Sequence, residues 1–138
     1  KLRSADEVLD FMPQADVIIN CLPGTAETAG FVNAEMISRM KPTAVFANVG
    51  RGTTVDERAL VRALQQKQIG GAVLDVHHEE PLPQNHPLWG CENTILTQHS
   101  GGGWNQEDTG RIEVFLSNLK RFEAGLPLEN IIDPTRGY

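Results

Sequence analysis

The sequence predicts an α/β fold, a partial doubly wound parallel sheet, and three observations carry that expectation. First, three continuous apolar runs, "ADVIINCLP", "TAVFANVG" and "AVLDV", alternate with segments of helical period. That alternation implies right-handed crossovers between parallel strands. Second, the runs show no inward/outward alternation, which suits strands buried on both faces of a covered sheet. Third, Leu22–Pro23, Gly50–Arg51, Asp75 and His99 each fall at or just past the end of an expected strand. Open parallel sheets bind ligands at the carboxyl ends of their strands.

The elements follow in order. "SADEVLDFM" opens with a capping box, Ser4 as N-cap and Glu7 three residues on, and Val8, Leu9, Phe11 and Met12 share one helical face. "ADVIINCLP" is the first strand, ended by Pro23. Asn33 caps "AEMISRM", with Met36, Ile37 and Met40 inward. "TAVFANVG" is the second strand. Asp56 caps "ERALVRALQQKQ", with Leu60, Val61 and Leu64 inward, and Gly70–Gly71 stops it. "AVLDV" and "NTILTQ" are the third and fourth strands. Asn105 caps the longest helix, where Ile112, Phe115, Leu116, Leu119 and Phe122 line one face and Gly125 closes it; the tail "LPLENIIDPTRGY" is irregular.

Composition narrows the function classes. The 138 residues suffice for one domain with a core, and 40% hydrophobic with 22% charged residues is ordinary for a globular protein. A formal charge of −6 argues against nucleic-acid and anionic-membrane partners. No apolar run reaches the roughly 20 residues of a membrane helix, and "KLRSADEV" has no signal-peptide core. Cys21 and Cys91 lack CxxC spacing, so reduced thiols in a cytoplasmic protein are the simplest reading.

The chemistry-bearing residues gather in three places. Arg51 lies in "NVGRGT", where flanking glycines allow close backbone approach and a guanidinium could clamp a carboxylate through two parallel hydrogen bonds. In "DVHHEEPL" no metal is expected, because neighbouring side chains on extended chain point apart. There, Pro81 restricts Glu80 to extended backbone and so fixes the direction of its carboxylate. His99, in "TQHSGGGWNQ", would form a general acid/base pair with a neighbouring carboxylate, which favours the imidazolium. "GRGTTV" and "GGGWNQ" both fail the GxGxxG pattern, and neither GxxxxGK[ST] nor GxSxG occurs.

Together, "ADVIINCLPGTAETAGFVNAEMISRMKPTAVFANVGRGTTVDERALVRAL", "AVLDVHHEEPL" and "NTILTQHSGG" resemble the C-terminal part of the D-isomer-specific 2-hydroxyacid dehydrogenases. The likeness runs from about residue 5 to the final "NIIDPTRGY", with 29 positions from Arg51 to Glu80 and 19 from Glu80 to His99. It implies that residues 1–104 form the second half of a Rossmann-like NAD-binding domain, and that 105–138 form a helix and tail that return to an N-terminal substrate domain. It implies hydride transfer between NAD or NADP and a small 2-oxo/2-hydroxy acid. His99 would protonate the carbonyl oxygen, Glu80 would hold the His99 ring, and Arg51 would bind the substrate carboxylate. Asp75 resembles the aspartate that meets the nicotinamide carboxamide. Leu22, Pro23, Val49, Gly50, Ser100 and Gly101 match positions whose backbone lines the dinucleotide, beside Arg51 and His99.

The pattern departs from the family at Gln98, where proline is usual, and at His77, where phenylalanine or tyrosine is common. Glu80 separates it from the formate-oxidising branch, which carries glutamine there. The family's GxGxxG loop and ribose-binding acid have no match here. The resemblance therefore implies the C-terminal portion of a homodimeric, cytoplasmic protein of roughly 300 residues, with no turnover by these 138 residues alone. The alternatives are a dinucleotide-sensing interaction protein, as in the related corepressor branch, and a bare half-domain serving as a structural module.

Overall fold

A computed structural model describes residues 7–102 and 105–135. Ser4 lies outside the described residues, as do Gly103 and Trp104. The chain divides into two compact units, residues 1–99 and 100–138.

The first unit runs α1 (Val8–Phe11), β1 (Val17–Asn20), α2 (Ala34–Ser38), β2 (Val45–Asn48), α3 (Glu57–Gln65), β3 (Gly71–Leu74) and β4 (Thr94–Leu96). The four strands form one parallel sheet in the order β1-β2-β3-β4. The caps expected for α2 and α3 form: the side chain of Asn33 accepts from the Met36 amide at 3.0 Å and that of Asp56 from the Ala59 amide at 2.9 Å. Met36, Ile37 and Met40 from the α2 segment, and Leu60, Val61 and Leu64 from α3, are buried with Phe46, Ala72 and Leu74 of the sheet.

Three local expectations are corrected, two of them in this unit. Helix α3 ends at Gln65, short of Gly70–Gly71. Lys67 adopts φ +52°, and the Gln68 and Lys67 amides donate to the Ala63 and Leu64 carbonyls at 2.8 and 3.0 Å. This is a Schellman closure with lysine in the left-handed position. Gly70 and Gly71 instead allow backbone to pass close by, since a Cβ at either would lie 2.6 Å from the Thr43 or Asn93 carbonyl oxygen. The sheet is not covered on both faces, and the first strand is not buried on both. In register, Ile19, Ala47, Val73 and Ile95 cross the uncovered face, where Ile19 and Ile95 are 62% and 61% exposed. The reason is topological. Every crossover advances in one direction, so right-handedness puts α2 and α3 on the same side.

The second unit contains α4 (Glu107–Glu123) and an irregular tail. The third correction falls here. The N-cap of α4 is Gln106, without a side-chain cap bond, so Asn105 does not serve as the cap. Gly125 closes the helix as expected, at φ +68°, with the Leu126 amide on the Arg121 carbonyl at 2.9 Å. Ile112, Phe115, Leu116, Leu119 and Phe122 all remain exposed. Among the described residues no helix is long and apolar enough to cross a membrane.

Candidate active site

Parallel strands bring all their carboxyl ends to one edge, and the residues beyond β1, β2, β3 and β4 meet there in sequence. The join between the first two was not anticipated. β1 and β2 both end in asparagine, Asn20 and Asn48, which are register partners and buried. Asn20 Nδ2 donates to Asn48 Oδ1 at 3.0 Å and to Thr54 Oγ1 at 2.6 Å. Asn20 Oδ1 accepts the Leu22 amide at 3.2 Å, and Asn48 Oδ1 accepts the Gly50 amide at 3.1 Å. Asn48 Nδ2 and Thr54 Oγ1 both donate to the Arg51 carbonyl, at 3.2 and 2.6 Å. Buried amide side chains thus hold the backbone of three expected site positions, Leu22, Gly50 and Arg51. The sequence signal was present: two apolar strand runs, "VIIN" and "VFAN", finish on the same residue.

Gly50 is needed here. A Cβ on it would lie 2.5 Å from the Leu22 carbonyl oxygen, so the first two strand ends touch backbone to backbone. Gly24 makes a looser approach, since a Cβ on it would lie 3.2 Å from Arg51 Cγ. Arg51 is exposed. Its Nη1 donates to the Gly50 carbonyl at 2.8 Å, and among the described residues no carboxylate forms an ion pair with it. A guanidinium left in this state is suited to a planar anion. Val49 beside it is exposed.

The second join links β2 to β3. A Cβ at Gly52 would sit 1.9 Å from the His77 carbonyl oxygen, so the turn carrying Arg51 packs directly on the His77–His78 peptide. Asp75, just past β3, is buried, and Thr97 Oγ1 donates to its Oδ1 at 2.5 Å. His77 is buried, with Nδ1 lacking a hydrogen-bond partner among the described residues.

The third join is between Glu80 and His99. Glu80 Oε1 accepts the His77 amide at 2.8 Å, and Glu80 Oε2 lies 2.7 Å from His99 Nδ1. The His77 amide, then the His99 ring, hold the Glu80 carboxyl below the usual carboxylate range. An ionised carboxylate only accepts, so Nδ1 carries the hydrogen of this contact. His99 adopts φ +55° as the chain leaves β4, a region histidine visits more readily than most residues. The Glu80–Pro81 peptide is cis.

A cavity of about 560 Å³ opens beside this pair, lined by His77, Glu80, Pro81, Leu82, Trp89, Leu96, Thr97, Gln98 and His99. One of similar size, about 550 Å³, lies at the amino ends of β3 and β4, near Ile69, Gly70 and Asn93. Strand polarity and the paired ionisable groups, rather than volume, favour the former. Among the described residues no three His, Cys, Asp or Glu side chains cluster as metal ligands. Arg51 is brought to the same edge but is not hydrogen-bonded to Glu80 or His99 in any described contact. Ser100 and Gly101 belong to the second unit.

Residues 2–101 match the family model of the D-isomer specific 2-hydroxyacid dehydrogenase NAD binding domain. The chain belongs to this family. It is 35% identical over 133 residues to a glyoxylate/hydroxypyruvate reductase A of Salmonella heidelberg, covering 96% of this chain and 42% of that protein. A D-isomer specific 2-hydroxyacid dehydrogenase from Xanthobacter autotrophicus Py2, solved with NADPH and MES, superposes with a TM-score of 0.87 at 38% identity, over 96% of this chain and 54% of that one. An NADPH-dependent glyoxylate/hydroxypyruvate reductase from Sinorhizobium meliloti, solved with NADP and sulfate, gives 0.88 at 30% identity, over 99% and 44%. The chain thus spans about two-fifths of the length of the curated relatives it matches.

Proposed function

We propose that this chain carries the acid/base residues and the nicotinamide side of the cofactor site of an oxidoreductase. That enzyme would transfer hydride between NAD(P)(H) and a small 2-oxo/2-hydroxy acid. The observation that carries the reading is the 2.7 Å contact of His99 Nδ1 with Glu80 at adjacent strand ends, in a chain of this family. The residues present fit the nicotinamide end of a dinucleotide. The buried Asp75 carboxylate at the end of β3 is an acceptor suited to a carboxamide N–H, and the Leu22–Pro23 and Val49–Gly50 segments offer a backbone lip at the ends of β1 and β2. The cofactor supplies the hydride chemistry when bound.

The chain's own residues supply the rest. Arg51 binds the substrate carboxylate and polarises its carbonyl. His99 Nε2 gives a proton to the carbonyl oxygen in reduction and takes it back in oxidation, while Glu80 keeps the ring oriented and stabilises its charged form. Substrates of the size of glyoxylate and hydroxypyruvate, named for the relatives, suit this assignment. In a full-length protein carrying this chain, His99→Ala should lower kcat on such 2-oxo acids by about 10²–10⁴-fold. Unchanged turnover in that variant would overturn the reading.

A further inference from the structure

We infer that Glu57 is a positioning residue for the Glu80–His99 pair, acting through the His77–His78 peptide. The inference rests on the acid/base reading above and assigns a role to a residue outside the site positions already described. Glu57 is the first residue of α3, and its side chain is only 15% exposed. Its Oε2 accepts the His78 amide at 3.1 Å, and its Oε1 meets His86 Nε2 at 3.3 Å. His86 Nδ1 accepts the Leu88 amide at 3.3 Å, so the neutral ring carries its hydrogen on Nε2 and donates it to Glu57. One carboxylate therefore ties both ends of the segment 78–86 to α3, and Glu80 lies inside that segment.

The His77–His78 peptide is where three parts of the site meet. Gly52, next to Arg51, packs against it so closely that a Cβ there would be 2.5 Å from the His78 nitrogen. Glu57 holds that nitrogen. The preceding amide, His77 N–H, holds Glu80 Oε1, whose partner oxygen meets His99. Consecutive amides thus serve two carboxylates: Glu57 holds the His77–His78 peptide, the Val76–His77 peptide joined to it at the His77 Cα presents the N–H that aims Glu80, and Glu80 aims the ring. Displacements of about 1 Å at a catalytic group are enough to cost rate.

An acidic residue in a first helical turn also stabilises the helix by its charge alone. Two substitutions separate that effect from positioning. Glu57→Asp keeps the charge and loses the reach; Glu57→Gln keeps the reach and one acceptor oxygen, enough for the His78 amide, and loses the charge. The ring ¹⁵N resonances of His99, recorded on the 138-residue chain, report its Nδ1 hydrogen bond without requiring turnover, and Glu80→Ala marks the resonance position of the broken pair. Positioning predicts that Glu57→Asp moves the His99 signals toward the Glu80→Ala position while Glu57→Gln stays near wild type. If Glu57→Asp leaves the His99 signals in place while Glu80→Ala moves them, the inference is wrong and the acid/base reading stands. If Glu80→Ala itself leaves them in place, the pair and the inference fail together.

Discussion

The Glu80 carboxyl receives the His77 amide on one oxygen and the His99 ring on the other, and both hold it below its ordinary value of 4.5. A carboxyl whose value is lowered by folding contributes stability that is present above its unfolded value and is lost as pH falls through the folded one. Acidification below about pH 4.5 should therefore destabilise the wild-type chain partly through Glu80. Chemical denaturation at successive pH values should show Glu80→Gln losing less stability over that range; parallel pH dependences would contradict the assignment. Asn48 allows a second test at this scale. Removing its side chain leaves the Gly50 amide without its acceptor and deprives the Arg51 carbonyl of one donor. Asn48→Ala should cost about 2–3 kcal/mol, measured by urea unfolding.

At the scale of elements, α2 and α3 start on caps that the sequence displays, and α3 ends on a closure that it hides. Asn33 and Asp56 are good N-caps because a short side-chain oxygen can turn back on the third amide, and both do so. The end of α3 could not be read in the same way. Two glycines at 70 and 71 look like a stop, yet the chain turns earlier because Lys67 takes the left-handed conformation and the Gln68 amide closes on Ala63. That conformation carries a Cβ penalty in lysine that glycine avoids. Lys67→Gly should accordingly raise stability by about 0.5–1 kcal/mol, seen as an upward shift in the denaturation midpoint; a loss would show that the lysine side chain matters more than its backbone.

Over the whole first unit, one sheet face is packed and the other is bare. Ile19 and Ile95 stand on the bare face, in register across Ala47 and Val73. An exposed apolar row of this kind promotes association. The double change Ile19→Thr, Ile95→Thr should lower concentration-dependent association of the 138-residue chain in light scattering while leaving its thermal midpoint nearly unchanged. A large fall in that midpoint would mean the face is covered. The parallel sheet and the strand-end edge that gathers the candidate residues were legible in sequence, because the strands read as apolar runs and the carboxyl ends of parallel strands must share one side. The family resemblance also named Arg51, Glu80 and His99 as candidates. What sequence could not show was which groups meet. The Asn20–Asn48 bridge, the grip of Gly52 on His77 and the reach of Glu57 to His78 and His86 all depend on register and on loops folding back across neighbouring strands. The local pattern by itself determined the elements and their polarity, since helix and strand periods are written in adjacent residues. Only the tertiary structure decided the contacts at the strand ends and the bare face, because both are set by residues far apart in the chain and by the shared hand of the crossovers.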